Sequence, residues 1–268
     1  MASVGFNSKQ IEEFQHNGYL MVRSLFDREE MDSLRQSSRR DKALKEKSYS
    51  RTDSQGASVT LALWNEAGDD IYGLVGRSER IVDRVEQLLG SEVYHWHSKM
   101  IEKEPYTGGA WEWHQDYGYW YYDGCLFPEL MSVMIAVDPA TQENGCLQVL
   151  KGSHRIGRID HGKTGDQKGA DLERVEAAQK TLELVPCEMQ PGDALFFHCN
   201  LLHRSDQNRS SHPRWALICC YNAVHNSPYK ESRHPTYSPL EKVPDEVIKQ
   251  AVARLPQDVS EVRQTQQR

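Results

Sequence analysis

Trp113-His114-Gln115-Asp116 places an imidazole and a carboxylate two positions apart. On an extended segment both side chains project to the same side. A distant histidine, His203, can complete a set of two imidazoles and one carboxylate. Such a set covers one face of a metal and leaves neighbouring positions open. It suits non-haem Fe(II) that must hold both a co-substrate and O2. Arg214 opens the apolar run Trp215-Ala216-Leu217-Ile218. A guanidinium entering such a run needs a buried anion. Its planar fork can hold a carboxylate through two bonds, which a lysine cannot match. An H-x-D alone recurs by chance and serves equally as a polar pair at a strand end. The order H-x-D, His, Arg, each near the end of a strand-like run, is far more restrictive.

Other groups compete for these roles. His198 ends the apolar run Ala194–Phe197 and reads more simply as a strand-end histidine. His95-Trp96-His97 is an H-x-H that could by itself serve a zinc or iron cupin site, but no partner pattern follows it. Lys99 and Lys103 are the other bases that could hold a carboxylate. Tyr117, Tyr119, Trp120, Tyr121 and Tyr122 form a dense aromatic segment beside the H-x-D. It reads either as a pocket wall, with faces for an ammonium group, or as packing between loop and sheet.

The elements that must position these residues follow from periodicity. Residues 8–17 and 27–38 predict helices, the second opened by a capping box of Asp27 and Glu30. Gly18 to Val22 predicts a strand between them, and the polar, aperiodic 39–59 a loop. A third helix is expected from Ser78, as cap, to Leu89, with Gly90 ending it. From Val93 the period becomes two, with strands expected at 93–104, 131–137, 146–150, 182–189, 194–198 and 214–222. Residues 155–181 form a long insertion with a short helix from Asp171 to Lys180, of a length often used as a lid or entrance. A last helix is expected at 244–254. Many short strands after a helical start predict a sandwich or barrel with helices packed outside.

The chain resembles the phytanoyl-CoA dioxygenase family of Fe(II)- and 2-oxoglutarate-dependent oxygenases. The matching residues are Trp113 to Asp116, Asn144-Gly145-Cys146-Leu147, Gly152-Ser153-His154, Pro191-Gly192-Asp193, His203-Arg204-Ser205 and Arg214, with an opening similar over Phe14 to Phe26. The resemblance covers about Phe14 to Asn222 and departs from the family at Lys151, where Pro is frequent before Gly-Ser-His. It implies a mainly β fold with flanking helices around a double-stranded β-helix, the jelly-roll or cupin-like core. It implies that His114, Asp116 and His203 bind iron and that Arg214 binds the distal carboxylate of 2-oxoglutarate. Ser205, Gln115 and Met100 fall where the family lines the co-substrate pocket. Related halogenases lack the carboxylate, so Asp116 favours hydroxylation.

These readings lead to one domain over 1–268, with a helical part to about 92, a β core over about 93–225 and an extension over about 226–268. The expected activity is hydroxylation of a C–H bond in a small, polar or zwitterionic metabolite, with succinate and CO2 as co-products. Fe(II), 2-oxoglutarate and O2 are required, with ascorbate supportive in vitro. Tyr117, Tyr119 and Trp120 are the candidate substrate residues. The alternatives are an acyl-CoA hydroxylase of the same family, a cupin-like enzyme of non-oxidative chemistry, and a non-enzymatic binding relative.

Composition limits partners. A net charge of −7 argues against a general nucleic-acid binder. No apolar run approaches a membrane span, and the opening MASVGFNSKQ lacks the order of a signal peptide. The expected location is therefore cytoplasmic, with no nucleic-acid or membrane partner, and as monomer or dimer. The six cysteines, with no C-x-x-C among them, are expected to be reduced, mostly buried thiols.

Overall fold

The computed structural model describes residues 5–164 and 166–253. Two capping boxes, Asn7 with Gln10 and Asp27 with Glu30, start α1 (Ser8–Asn17) and α2 (Arg28–Arg40) on either side of β1 (Tyr19–Val22). Gly18 ends α1 in the left-handed region at φ 79°, where a side chain would also strike the His154 ring.

The expected loop over 39–59 is instead α3 (Lys42–Lys47), β2 (Tyr49–Thr52) and the start of β3 (Ser58–Trp64). β2 is an edge strand held by its ladder to β3, so its side chains stay polar and show no apolar alternation. α4 (Ile71–Arg77) precedes α5 (Glu79–Leu89), the helix anticipated after Ser78. Ser78 sits at the cap position but makes no cap bond, since its hydroxyl donates back to the Val75 carbonyl at 2.8 Å. Gly90 closes α5 in the left-handed region, as expected.

Strands then dominate. β4 (Val93–Lys103), β5 (Trp111–His114), the short α6 (Tyr117–Trp120), β6 (Leu130–Ala136) and β7 (Leu147–Leu150) follow in turn. The insertion contributes a hairpin, β8 (His161–Thr164) and β9 (Gln167–Ala170), and α7 (Leu172–Thr181). β10 (Leu184–Cys187), β11 (Ala194–His198), β12 (His203–Ser205), β13 (Arg214–Ala223) and α8 (Glu246–Ala253) complete the described chain.

A seven-stranded sheet runs β1-β11-β6-β13-β4-β3-β2, and a four-stranded sheet runs β10-β7-β12-β5. The strand period of two distributes each strand between layers. On β13, Ala216, Ile218 and Cys220 join Leu147 and Val149 in the core between the sheets. Leu217, Cys219 and Tyr221 face the other way, onto Phe14, Leu34, Val75 and Val82 of the helices. Every residue of β13 is buried, which explains its unbroken apolar run. Burying a side chain such as Leu217 contributes about 1.5–3 kcal/mol. The outer face of the small sheet is covered by α7, through Val175 and Ala178 against Leu150 and Leu202. This is the expected double-stranded β-helix with helices outside. All six cysteines are buried and unbridged. Among the described residues no helix is long and apolar enough to cross a membrane.

Candidate active site

β5 and β12 are neighbours in the small sheet, and their register sets His203 opposite His114. The ring centroids are 4.0 Å apart. Asp116 lies just beyond the end of β5, in helical backbone at the start of α6. Its Oδ1 is 3.9 Å from His114 Nε2. One ligand atom from each of His114, Asp116 and His203 lies within 4.8 Å of the others, and this is the single such group among the described residues.

The surrounding bonds leave the inward atoms free. His114 Nδ1 contacts the Glu112 carbonyl at 2.8 Å, and His203 Nδ1 the Leu201 carbonyl at 2.9 Å. A carbonyl only accepts, so each Nδ1 carries the proton and each Nε2 keeps its lone pair. Burial holds both imidazoles below their usual range, His114 well below, with the neighbouring His203 adding to its shift. The Ser132 hydroxyl donates to Asp116 Oδ2 at 2.6 Å and leaves Oδ1 for a metal. Two neutral imidazoles, a carboxylate and oriented supporting bonds fit a divalent iron.

Arg214 begins β13 opposite Lys103 of β4. Both side chains are buried, at 2% and 0% exposure, and neither has an ion-pair partner among the described residues. Arg214 Nη2 donates to the Gly145 carbonyl at 2.7 Å, while its Nε is buried without a partner. Lys103 Nζ donates to Ser205 Oγ at 2.8 Å and to the Asp206 carbonyl. Burial lowers Arg214 to about 10 and holds Lys103 well below its usual range, with Arg214 adding to the latter shift. Two buried cations without an anion face a small chamber that also meets His114, His203, Ser205 and apolar Leu147, Phe197 and Ile218.

A second, larger cavity of about 300 Å3 opens on the other side of His114 and Asp116. Lys99 borders both spaces, with Nζ 3.9 Å from Asp116 Oδ1. The larger cavity's wall includes Tyr119 and Trp120, then Arg51 from the segment expected as a loop, Leu61 of β3, and Gln167 from the hairpin. The insertion therefore contributes to the cavity wall. It is docked on β5, where Gln167 accepts from Glu112 N at 3.0 Å and donates to the Ala110 carbonyl at 2.9 Å.

Three expected site residues lie elsewhere. Gln115, between the two ligands, points to the opposite side, where its amide bonds the Gly157 and Asn200 carbonyls and accepts from Ile159 N. Met100 alternates away from Lys99 and Ile101 into the core beneath the helices. Tyr117 is packing, its hydroxyl bonded to the Cys125 and Leu126 carbonyls. Ser205, Tyr119 and Trp120 do line the two chambers. Among the rivals, His95 spends both ring nitrogens, on the Asn65 carbonyl and Ser98, and His198 accepts from Asn200 N beside His154. His97 is a wall residue. Lys103, Asp123 and His234 received no primary assignment from the sequence. A lysine or aspartate in a polar stretch reads as a solvated side chain, and His234 lies beyond the strand pattern.

Fold and site together define a non-haem iron, 2-oxoglutarate-dependent hydroxylase. Comparison with protein families matches residues 14–216 to Phytanoyl-CoA dioxygenase (PhyH). The chain is 32% identical over 199 residues to L-proline trans-4-hydroxylase of Streptomyces griseoviridis, covering 68% of this chain and 74% of that one. It is 26% identical over 236 residues to ectoine dioxygenase of Bordetella bronchiseptica, covering 82% and 77%. The structure of EctD from S. alaskensis with 2-oxoglutarate and 5-hydroxyectoine superimposes with a TM-score of 0.78 at 24% identity, over 91% of this chain and 89% of that one. The chain belongs to the phytanoyl-CoA dioxygenase family.

Proposed function

We propose that this protein hydroxylates a C–H bond of a small polar or zwitterionic metabolite, with His114, Asp116 and His203 holding Fe(II). Arg214, supported by Lys103 and Ser205, binds the far carboxylate of 2-oxoglutarate. The observation that carries this reading is the pair of buried cations without an anion beside the His-Asp-His set. A dicarboxylate whose far end meets Arg214 supplies an anion to this cationic pair, and bidentate pairing is what a guanidinium does best. Iron and 2-oxoglutarate, when bound, supply the oxidising chemistry, with succinate and CO2 as co-products.

The protein contributes position and exclusion of water. Ser132 fixes the Asp116 carboxylate, and the Glu112 and Leu201 carbonyls fix the two imidazole tautomers. The larger cavity holds the substrate. Its wall mixes the cations Arg51, Lys99, Lys168 and Arg233 with Asp123 and Asp166 and with the aromatic faces of Tyr119 and Trp120. A fatty-acyl chain would desolvate those charges without compensating them, whereas a small zwitterion meets both signs. Relatives whose names specify proline and ectoine as substrates agree with that class.

The test is a library of small metabolites with Fe(II), ascorbate and 2-oxoglutarate, reading succinate. Stimulation by small zwitterions is the expected result. Product formation without 2-oxoglutarate would assign non-oxidative chemistry. Iron binding with no 2-oxoglutarate decarboxylation across the library would indicate a binding protein.

A further inference from the structure

The chain after β13 returns across the substrate cavity and places Arg233 and His234 in its wall. His234 is buried, stacked on His97 with centroids 4.6 Å apart and planes at 20°, and tilted against Trp96 at 4.9 Å. Its tautomer follows from Asn65. Asn65 Nδ2 donates to the Arg233 carbonyl at 2.7 Å, which turns Asn65 Oδ1 toward His234 Nδ1 at 3.1 Å. Oδ1 only accepts, so Nδ1 holds the proton and Nε2 presents a bare lone pair.

That lone pair faces Asp123. His234 Nε2 and Asp123 Oδ2 are 3.8 Å apart, both atoms are buried, and neither has a hydrogen-bond partner among the described residues. Arg233 Nη2 stands 3.7 Å from Asp123 Oδ2, beyond bonding distance, on a side chain 59% exposed. Burial, then Arg233 and Lys99, pushes His234 down to about 3, so the ring does not become the donor itself at neutral pH. Burial also raises the Asp123 carboxyl, the signature of a carboxylate short of donors. Two buried acceptors side by side, one of them anionic, ask for one centre that donates twice and carries positive charge.

We infer that Asp123 and His234 are the receptor for the substrate's protonated nitrogen, a primary or secondary ammonium that donates one N–H to each. This rests on the reading of the cavity as the substrate site. A primary or secondary ammonium has the two hydrogens required. A quaternary ammonium has none, and an acylated nitrogen lacks the charge. Trp120, edge-on to His97 at 5.7 Å, continues the aromatic wall beside the receptor. Lys99, next to Asp116, leaves a cation toward the metal side for an anionic substituent. The two signs thus set the direction in which a zwitterion lies.

The experiment uses free L-amino and cyclic imino acids with their N-acetyl and N-trimethyl or N,N-dimethyl quaternary counterparts. Binding is measured calorimetrically on the anaerobic Fe(II) and 2-oxoglutarate complex, beside succinate formation in air. The best ligand should carry at least two N–H on a cation, and both counterparts should bind roughly tenfold or more weaker. Asp123→Asn, nearly isosteric, should weaken the free acid by a similar factor and leave the N-acetyl form unaffected. His234→Phe keeps the stacking area and removes the acceptor, and should act in the same direction. Addition of the ligand should shift the 15N resonance of His234 Nε2 in wild type, a readout that mere structural support would not produce. Melting temperatures establish that each variant is folded, and Asp123→Asn alone suffices if His234→Phe does not fold. Equal binding of quaternary or N-acetyl forms, or an unchanged affinity in Asp123→Asn, overturns the inference while the hydroxylase reading stands. No succinate with any compound overturns the hydroxylase reading and this inference with it.

Discussion

Replacing Arg214 by lysine keeps a positive charge at the start of β13 and removes the fork. In the wild type one arm, Nη2, is already committed to the Gly145 carbonyl at 2.7 Å. The remaining N–H groups, including the unpartnered Nε, are what an incoming carboxylate can use. A lysine has one nitrogen at the end of a flexible stem. If it satisfies Gly145 it abandons the carboxylate, and if it turns to the carboxylate it leaves a buried carbonyl unpaired. Either choice forfeits about one charge-assisted bond, roughly 1.5–3 kcal/mol. The Kd for 2-oxoglutarate should therefore rise about 10- to 150-fold. Iron affinity should not change, because Arg214 supplies none of the atoms of the His114, Asp116 and His203 group. Titration of 2-oxoglutarate into the anaerobic Fe(II) protein, by calorimetry, measures the first, and metal titration of the apoprotein the second. An unchanged Kd in Arg214→Lys, together with loss of binding in Lys103→Met, would refute the assignment and make Lys103 the anchor.

Asp116→Ala and His203→Ala should each remove most Fe(II) affinity and coupled turnover, and unaltered iron titrations in both would return attention to His97. Ser132→Ala frees Asp116 Oδ2 from its 2.6 Å bond and should cost about 10- to 100-fold in iron affinity, read by competition with a chelator. Lys103 has a pKa below its unfolded value, so its burial penalty is full below the folded pKa and is relieved as pH rises toward about 10.4. The stability of wild type relative to Lys103→Met should therefore rise with pH across that window in the absence of 2-oxoglutarate. Denaturant titrations of both proteins over the alkaline range measure it, and a flat difference would mean that Lys103 is not held below its usual range.

The alternation of strands explains both what was legible and what was not. His114, Asp116, His203 and Arg214 could be read because a residue pattern and a strand period pointed the same way. The same period should have excluded Gln115 and Met100, since each lies between two residues that face the chambers. Family position suggested them, and backbone geometry placed them opposite. The helices and core strands carried caps and alternation in their own sequences. The segment 39–64 did not, because the edge strand β2 is held by its ladder to β3, and β3 in turn by its ladder to the distant β4, rather than by an apolar pattern of their own. The acceptors on Asp123 and His234 depend on a return of the chain across the cavity, which no local signal encodes. Lys103 reads from the sequence as a base able to hold a carboxylate, but its complete burial is a property of the two sheets closing over it.

The register that sets His203 opposite His114 has a mechanical side as well. β5 and β12 are the edge and next strand of the small sheet, and β12 is only three residues long, with an irregularity between His203 and Ser205. Few ladder bonds hold such a pair. A metal gripped by one histidine from each strand acts as a crosspiece between segments that are remote in the chain, so the free energy of binding is also free energy of sheet closure. Amide exchange in β5, the edge strand, should slow on metal binding far more than in β6 or β13, whose neighbours enclose them on both sides. The ion that serves the chemistry would then double as a rivet at the weak margin of the barrel.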